Sequence, residues 1–293
     1  TLEDAIISGR NDTGSIVGEM HAGSIHSVLV KNINLLGYDQ TGGLIGRAYS
    51  PDILQSAVLS GTITGNSNTG GLIGISSWEN SLRGDIRESF SRLNISGHST
   101  VGGLLGYASY VDLTDSYFAG DIQASGSHSG GIIGNSSSHS NTNVVVENTY
   151  TISTDLPVGS SGGIVGSADD DTVITNSYWN TDTSSKNTTS RGRGLGKTTP
   201  ELTTQTTYGS TWNFGTTWRV PVSNTSYPCL LWEEAGSCPE ALVSEYDISS
   251  CEDLQNIQNI PWANYTLATD IDCSSLDFIP LGTNIIPFTG SFD

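Results

Sequence analysis

Short runs in which apolar residues recur at every second position return at regular intervals along the chain. They are "SVLVKNINL" from Ser27, "SAVLSGTITG" from Ser56, "SFSRLNISG" from Ser89, "SYFAGDIQASG" from Ser116, "NTYTISTDL" from Asn148 and "NSYWNTDTS" from Asn176. Such alternation predicts half-buried strands. Between these runs lies a second pattern, glycines around an aliphatic pair: "GSIVG" at Gly14, "GGLIG" at Gly42 and Gly70, "GGLLG" at Gly102, "GGIIG" at Gly130 and "GGIVG" at Gly162. Successive glycine motifs are 28, 28, 32, 28 and 32 residues apart. Each alternating run begins 13 to 15 residues before the next glycine motif, so the two longer periods gain their length on the other side, in "ISSWENSLRGDIRE" and "NSSSHSNTNVVVE".

A fixed period of this size marks a solenoid or a propeller, and a propeller blade needs about 40 residues or more. A 28-residue period with two or three strands therefore predicts an all-β chain folded as a parallel β-solenoid of about six coils over residues 1–180. Stacked coils advance by about 4.8 Å and superpose identical positions into columns. Leu44, Leu72 and Leu104 are expected in one file, and the glycines where the chain corners sharply and neighbouring coils approach closely. Glycine-rich loops can also cradle phosphates, but that chemistry needs a following helix and usually a lysine, and neither follows these motifs.

Composition narrows the setting. The 11 Lys plus Arg against 30 Asp plus Glu give a formal charge of −19, which repels nucleic acid and anionic lipid surfaces; nucleic acid is excluded as a partner. No run of about 18 apolar residues is present and no basic segment leads into an apolar one, so neither membrane insertion nor a signal peptide is expected. A chain that opens at Thr1 is read as processed or excised from a longer one. The four cysteines, Cys229, Cys238, Cys251 and Cys273, all lie in the last third. Neither a Cys-x-x-Cys pair nor a nearby histidine supports zinc, so disulfides are expected, with Cys229 paired to Cys238 and Cys251 to Cys273 among three connectivities.

The repeated G-G-[LI]-[ILV]-G with an intervening N-S-Y-type strand resembles the GLUG motif of large bacterial surface proteins, filamentous-haemagglutinin-like adhesins among them. "GRGLGKTTPEL" and "TWNFGTTWRVPVSNTSYPCLLW" resemble segments that close such arrays, and "CEDLQNIQ", "NYTLATDIDCSS" and "PFTGSFD" resemble the lead-in that opens one. The resemblance implies a right-handed parallel β-helix displayed outside the cell, with a structural or adhesive role. The His-Glu-x-x-His motif of peptidase relatives is missing: the histidines are His21, His26, His98, His128 and His139. In the family the opening segment precedes the first glycine motif, whereas here it follows the last one. That order implies a head-to-tail contact in which residues 241–293 stack on the first coil of a neighbouring copy, or tandem arrays within one polypeptide.

Residues 181–240 are read as a closing cap in which Trp212, Phe214, Trp218, Tyr227 and Trp232 cover the apolar end of the last coil, rather than as an aromatic platform for sugars. "SSCE" from Ser249 predicts the start of a short helix ahead of Leu254 and Ile257. Asn11, Asn94, Asn135, Asn187, Asn224 and Asn264 carry the Asn-x-Ser/Thr sequon and are candidate glycosylation sites in turns and loops. Asp169, Asp170 and Asp171 form a weak calcium candidate, better read as a solvated loop because calcium loops spread their carboxylates.

No cofactor is implied. A polysaccharide-degrading solenoid would need paired carboxylates at a set separation; the densest mixture of acids and bases, Arg83, Asp85, Arg87 and Glu88, falls in an insertion and reads as a solvated loop. The outward residues Lys31, Thr62, Arg92 and Asp121 do not form one ladder, which disfavours an ice-binding face. The sequence thus points to a non-enzymatic extracellular structural unit of a surface filament, stalk or adhesin, whose partners are copies of itself or adjacent arrays of the same polypeptide; the alternative is an adhesin module that binds surface glycans or proteins.

Overall fold

The 28-residue period folds into a coil of five short strands, and the coils stack in parallel. The computed structural model describes residues 1–293 apart from 79–81, 138–142, 155, 157–160, 185, 187, 190–192, 223–224, 242–244, 258–263, 275–277, 281–291 and 293. Two compact units are present. The first comprises Thr1–Thr199, Tyr208–Arg219 and Leu230–Trp232; the second comprises Pro200–Thr207, Val220–Cys229 and Glu233–Asp293.

In the first unit one coil runs through Leu29–Lys31, Ile33–Leu36, Asp39–Gly42, Ile45–Tyr49 and Asp52–Leu54. Stacking these strands on their equivalents gives five parallel sheets, here A to E in that order. The register is strict. Gly14, Gly42, Gly70, Gly102, Gly130 and Gly162 pair successively at the end of sheet C. Leu44, Leu72 and Leu104 are fully buried, and the Leu44 and Leu72 amides donate to the Leu72 and Leu104 carbonyls, so the aliphatic file is continuous.

Five strands rather than two or three fit the period because the coil turns through residues in the left-handed backbone region. Asp12, Gln40, Asn68, Thr100 and His128 have φ between 47° and 63° and occupy one position of successive coils. Gln55, Glu88, Asp115, Asn148 and Asn176 form a second such file, with φ between 45° and 50°. Asp, Asn and Gln tolerate this region by bonding locally to backbone, and each such residue ends one strand and aims the next.

The doubled glycines serve close approach instead. A Cβ on Gly71 would stand 2.0 Å from the Gly103 carbonyl oxygen, and one on Gly103 would stand 2.1 Å from the Gly131 oxygen and 2.4 Å from Cγ of Phe118. Opposite walls of the coil meet at this point: Gly43, Gly71, Gly103, Gly131 and Gly163 face Val58, Ser91, Phe118, Thr151 and Trp179 across the interior. At the adjacent corner a serine ladder links the coils. Ser56, Ser89 and Ser116 each accept from the coil before, at 3.1–3.2 Å, and donate to the carbonyl two residues back, at 2.7–3.0 Å.

Trp212, Trp218 and Trp232 of the closing segment lie along a lateral face of the solenoid rather than over its apolar end, and Tyr227 belongs to the second unit. Phe90, Tyr117, Tyr150 and Tyr178 form an outward file on sheet A, with ring centroids 4.7 Å apart for the first pair and 5.0 Å for the second. Trp212 packs on Tyr150 and Tyr178, Trp218 on Tyr117 and Tyr150, and Trp232 on Phe90. Their indole N–H groups donate to the Asn176 carbonyl (3.0 Å), the Asp115 carboxylate (2.9 Å) and the Glu88 carbonyl (2.9 Å). Tyr208–Arg219 and Leu230–Trp232 therefore run along the side of the solenoid as a strap, because an outward file of rings leaves a large apolar surface that must be covered. The last coil is closed by residues that follow it directly: Gly163 donates to the Thr188 carbonyl, the Ile164 and Val165 amides donate to the Thr189 hydroxyl, and Leu195–Lys197 adds a strand to sheet A.

The second unit holds both disulfides, Cys229–Cys238 and Cys251–Cys273, with Cα separations of 5.1 and 5.4 Å. A helix spans Cys251–Asn256. Its N-cap is Ser250, whose hydroxyl accepts from the Asp253 amide, while the Asp253 carboxylate accepts from the Ser249 amide. The capping pair is thus Ser250 with Asp253, one residue beyond the expected Ser249 with Glu252. Hydrogen bonds from Ser250 and Ser249 hold the Asp253 carboxyl below the usual carboxylate range. Ile257 and Ile248 pack with Tyr265. Glu245–Ile248 pairs in parallel with Asn264–Leu267, and Tyr265 forms a further parallel bridge to Phe292.

Two outcomes follow from this packing. Gly103→Ala is expected to cost about 3 kcal/mol through overpacking, measured by urea unfolding, whereas Gly209→Ala, with only Thr211 Oγ1 at 4.0 Å, should change stability by under about 0.5 kcal/mol. Burial raises the Asp115 carboxyl above its ordinary value, against the lowering effect of hydrogen bonds from Trp218 and Asn148, and Glu88 and Glu147 raise it further. A folded-state value above the unfolded one means that the native chain holds this proton more tightly, so stability is gained as pH falls through the raised value and forgone at neutral pH. Asp115→Asn should therefore raise the Tm at neutral pH and reduce the gain on mild acidification; a melting series over pH checks it.

Candidate functional site

Inward positions of the solenoid are committed to the core, so recognition chemistry has to sit on outward positions. Sheet A is covered by the strap. Sheet B presents Asn34, Thr62 and Asn94 in one file, with a hydrogen bond from Thr62 to Asn34, and exposes Ile6 and Leu36 on its first two rungs. Asp121 continues that file, its amide donating to Asn94, so Thr62 and Asp121 do share one ladder, whereas Lys31 and Arg92 lie elsewhere. Aromatic and charged side chains meet on the outward faces of sheets D and E.

Sheet E places Asp52, Asp85 and Asp112 in direct register on three successive coils. Carboxylates one rung apart repel by an energy on the order of 1 kcal/mol even in water, and three basic groups answer them. Arg87 contacts Asp85 and reaches Asp52 at 3.3 Å, His26 Nε2 lies 2.9 Å from Asp52, and Arg83 contacts Asp112 and donates to Asn143 at 2.8 Å. Burial raises the Asp85 carboxyl above its usual range and Asp52 and Asp112 raise it further, while Arg87 opposes them. Asp85 and Arg87 thus belong to a sheet E strand, Gly84–Arg87, and not to the insertion loop expected from the sequence; the extra residues enter just before this strand, between sheets D and E.

On sheet D, Glu19, Arg47, Ile75, Tyr107 and Asn135 form one outward file, with His21 and Tyr49 beside it. His21 stacks on Tyr49 at 4.7 Å, and Arg47 donates to Asp12 at 2.8 Å. The Arg83 guanidinium lies 4.9 Å from the centre of the Tyr110 ring. Tyr49, Tyr107 and Tyr110 are half-buried, and Trp78 is 43 % exposed. The result is a strip of rings and ion pairs along the axis of four coils. Its carboxylates are engaged by guanidinium groups, which favours recognition by hydrogen bonding over acid–base chemistry.

The other sequence candidates lie apart from this strip. Asp169, Asp170 and Asp171 sit in a loop clasped by Arg193, whose guanidinium donates to the Asp169, Asp170 and Thr172 carbonyls, and the Asp169 carboxylate accepts from Thr172. Three backbone carbonyls of this loop are thus bonded to a cation of the chain itself. Among the described residues no three His, Cys, Asp or Glu side chains are grouped to hold a metal. His98 bonds to Ser125 and His128 to Ser127, while His139 lies outside the described residues. Asn11, Asn94, Asn135 and Asn264 lie in strands rather than in turns or loops, because alternation turns them outward while Ile95 and Tyr265 face the cores; Asn11 and Asn94 are exposed, and Asn135 and Asn264 half-buried. Asn187 and Asn224 lie outside the described residues.

Comparison with protein-family models, with curated proteins and with solved structures finds no match. The two disulfides mark a non-cytoplasmic location, and no helix among the described residues is long and apolar enough to cross a membrane. The carboxylate file was hidden in the sequence because its members lie 33 and 27 residues apart, on either side of the 28-residue period.

Arg87 joins Asp52 and Asp85. Arg87→Gln is expected to lower stability by about 1 kcal/mol at low ionic strength and by less in high salt, because added ions screen the bared carboxylates; paired urea titrations at two salt concentrations would detect this.

Proposed function

We propose that the chain is a non-enzymatic structural unit of an extracellular surface filament, stalk or adhesin, built from successive solenoid arrays joined head-to-tail between copies or along one polypeptide. One observation carries this reading. The second unit repeats the parallel pairing of the first, though not its period throughout: Glu245–Ile248 pairs in parallel with Asn264–Leu267 at an offset of 19 residues, from 245 to 264, and Tyr265 bridges in parallel to Phe292, one residue short of a full 28-residue period further on. The residues that close one array at Thr188, Thr189 and Leu195–Lys197 are thus followed by the opening rungs of another.

The first coil supports the same reading. Its inward Ile7 and Val17 are half-buried, while the residues above them, Leu35 and Ile45, are fully buried. An opening rung laid on this edge would bury the apolar slice and pair its backbone groups. A heterologous contact of this kind that does not close into a ring yields a filament. The disulfides suit an oxidising exterior, and the GLUG-like motif points to the same setting.

Electron microscopy of the purified chain tests the proposal. Extended fibres with a regular axial repeat are expected, together with their loss when residues 241–293 are removed. Isolated compact particles from the whole chain at high concentration, or unchanged fibres from the truncated one, would contradict head-to-tail stacking.

A further inference from the structure

We propose that the strip on sheets D and E binds a neutral, linear polysaccharide laid along the solenoid axis. This inference does not depend on how arrays are joined, since it concerns a lateral face. Three features of the strip converge on that ligand.

The first is chemistry. Sugar rings offer apolar C–H faces and rims of hydroxyl groups, so they are matched by partly exposed aromatic faces beside fixed donors and acceptors. Half-buried Tyr49, Tyr107 and Tyr110 supply the rings, one face of Tyr49 being taken by His21 and one of Tyr110 by the Arg83 guanidinium. The Arg47–Asp12, Arg83–Asp112 and Arg87–Asp85 pairs supply donors and acceptors side by side, held in place by each other. A hydroxyl can donate to such a carboxylate while a neighbouring hydroxyl accepts from the guanidinium.

The second is charge. An acidic polymer would meet Asp52, Asp85 and Asp112 on a chain of formal charge −19, and the strip's guanidinium groups are already engaged by carboxylates. A cationic polymer would be drawn to the acidic chain as a whole rather than to this strip, whereas the strip's mutually neutralised pairs offer a neutral polymer hydrogen bonds with no net charge to match.

The third is extent. The coils advance by about 4.8 Å, and Tyr49 and Tyr107 lie two coils apart in different outward files, so a ligand that meets both must be an extended chain running along the axis. The placement is also selective: sheet A is covered by the strap, and sheet B carries no ring in its outward file.

Affinity electrophoresis of the whole chain tests the proposal, using native gels containing hydroxyethylcellulose, laminarin, galactomannan or polygalacturonate. Retardation is expected in at least one of the three neutral glycans and not in polygalacturonate. Tyr49→Ala and Tyr110→Ala should each weaken that retardation by about tenfold with an unchanged circular dichroism spectrum, and Thr62→Ala on sheet B should leave it unaltered. Should a tyrosine variant fail to fold, Asp52→Asn, at an exposed edge of the strip, is expected to lower the same affinity. Absence of retardation in all three neutral gels, stronger retardation by polygalacturonate, or full retention by folded strip variants would overturn the assignment.

Discussion

Everything in the first unit depends on how closely neighbouring coils and opposite walls of one coil can approach at the glycine file. Hydrogen bonds between coils require every rung to superpose at the strand spacing, and at Gly71 and Gly103 the carbonyl of the next coil already occupies the place of a Cβ. The space this leaves inside is filled from across the coil. Phe118 stands over Gly103 and Trp179 over Gly163, whereas the same file carries only Ser91 over Gly71. Residue size therefore varies from rung to rung while the backbone path does not. The doubled glycine is the fixed element, and the facing file absorbs the variation.

That division explains what was legible in the sequence. The period, the parallel stacking and the single file of Leu44, Leu72 and Leu104 follow from spacing and alternation alone. The number of strands does not, because the breaks between them depend on left-handed residues, and these include Ser27, Thr100, Tyr110 and Ala22 beside the more readable Asp and Asn. A residue that adopts an uncommon backbone region because the stack imposes it carries no local signal. The strap was half legible. Five aromatics were visible in the closing segment, but their partners Phe90, Tyr117, Tyr150 and Tyr178 recur on the outer side of a strand whose inner side also alternates, and nothing local tells the two sides apart.

The strap also shows how the fold handles an outward apolar file. Each of Trp212, Trp218 and Trp232 spends its indole N–H on a corner residue, Asn176, Asp115 or Glu88, drawn from the same left-handed file. The corners that shape the coil therefore also anchor what covers it. In the Asp115 contact this juxtaposition leaves a carboxylate partly desolvated beside two other acids, which is why the anchor is sensitive to pH while its two backbone counterparts are not.

Sheets D and E reverse the logic of the strap. A fold that stacks Asn34, Thr62 and Asn94 along sheet B would lose nothing in rung geometry by placing similar uncharged groups at Asp52, Asp85 and Asp112. Three carboxylates in register instead repel one another and draw in Arg83, Arg87 and His26 to hold them. Exposed ion pairs of this kind contribute on the order of 1 kcal/mol or less each, so the arrangement is a poor way to stabilise a solenoid that already has a continuous apolar core. What it presents outward is a set of donor–acceptor pairs on neighbouring coils beside half-buried tyrosine rings, and stacking carries these local choices of side chain along the axis, which is the basis of the proposed polysaccharide site.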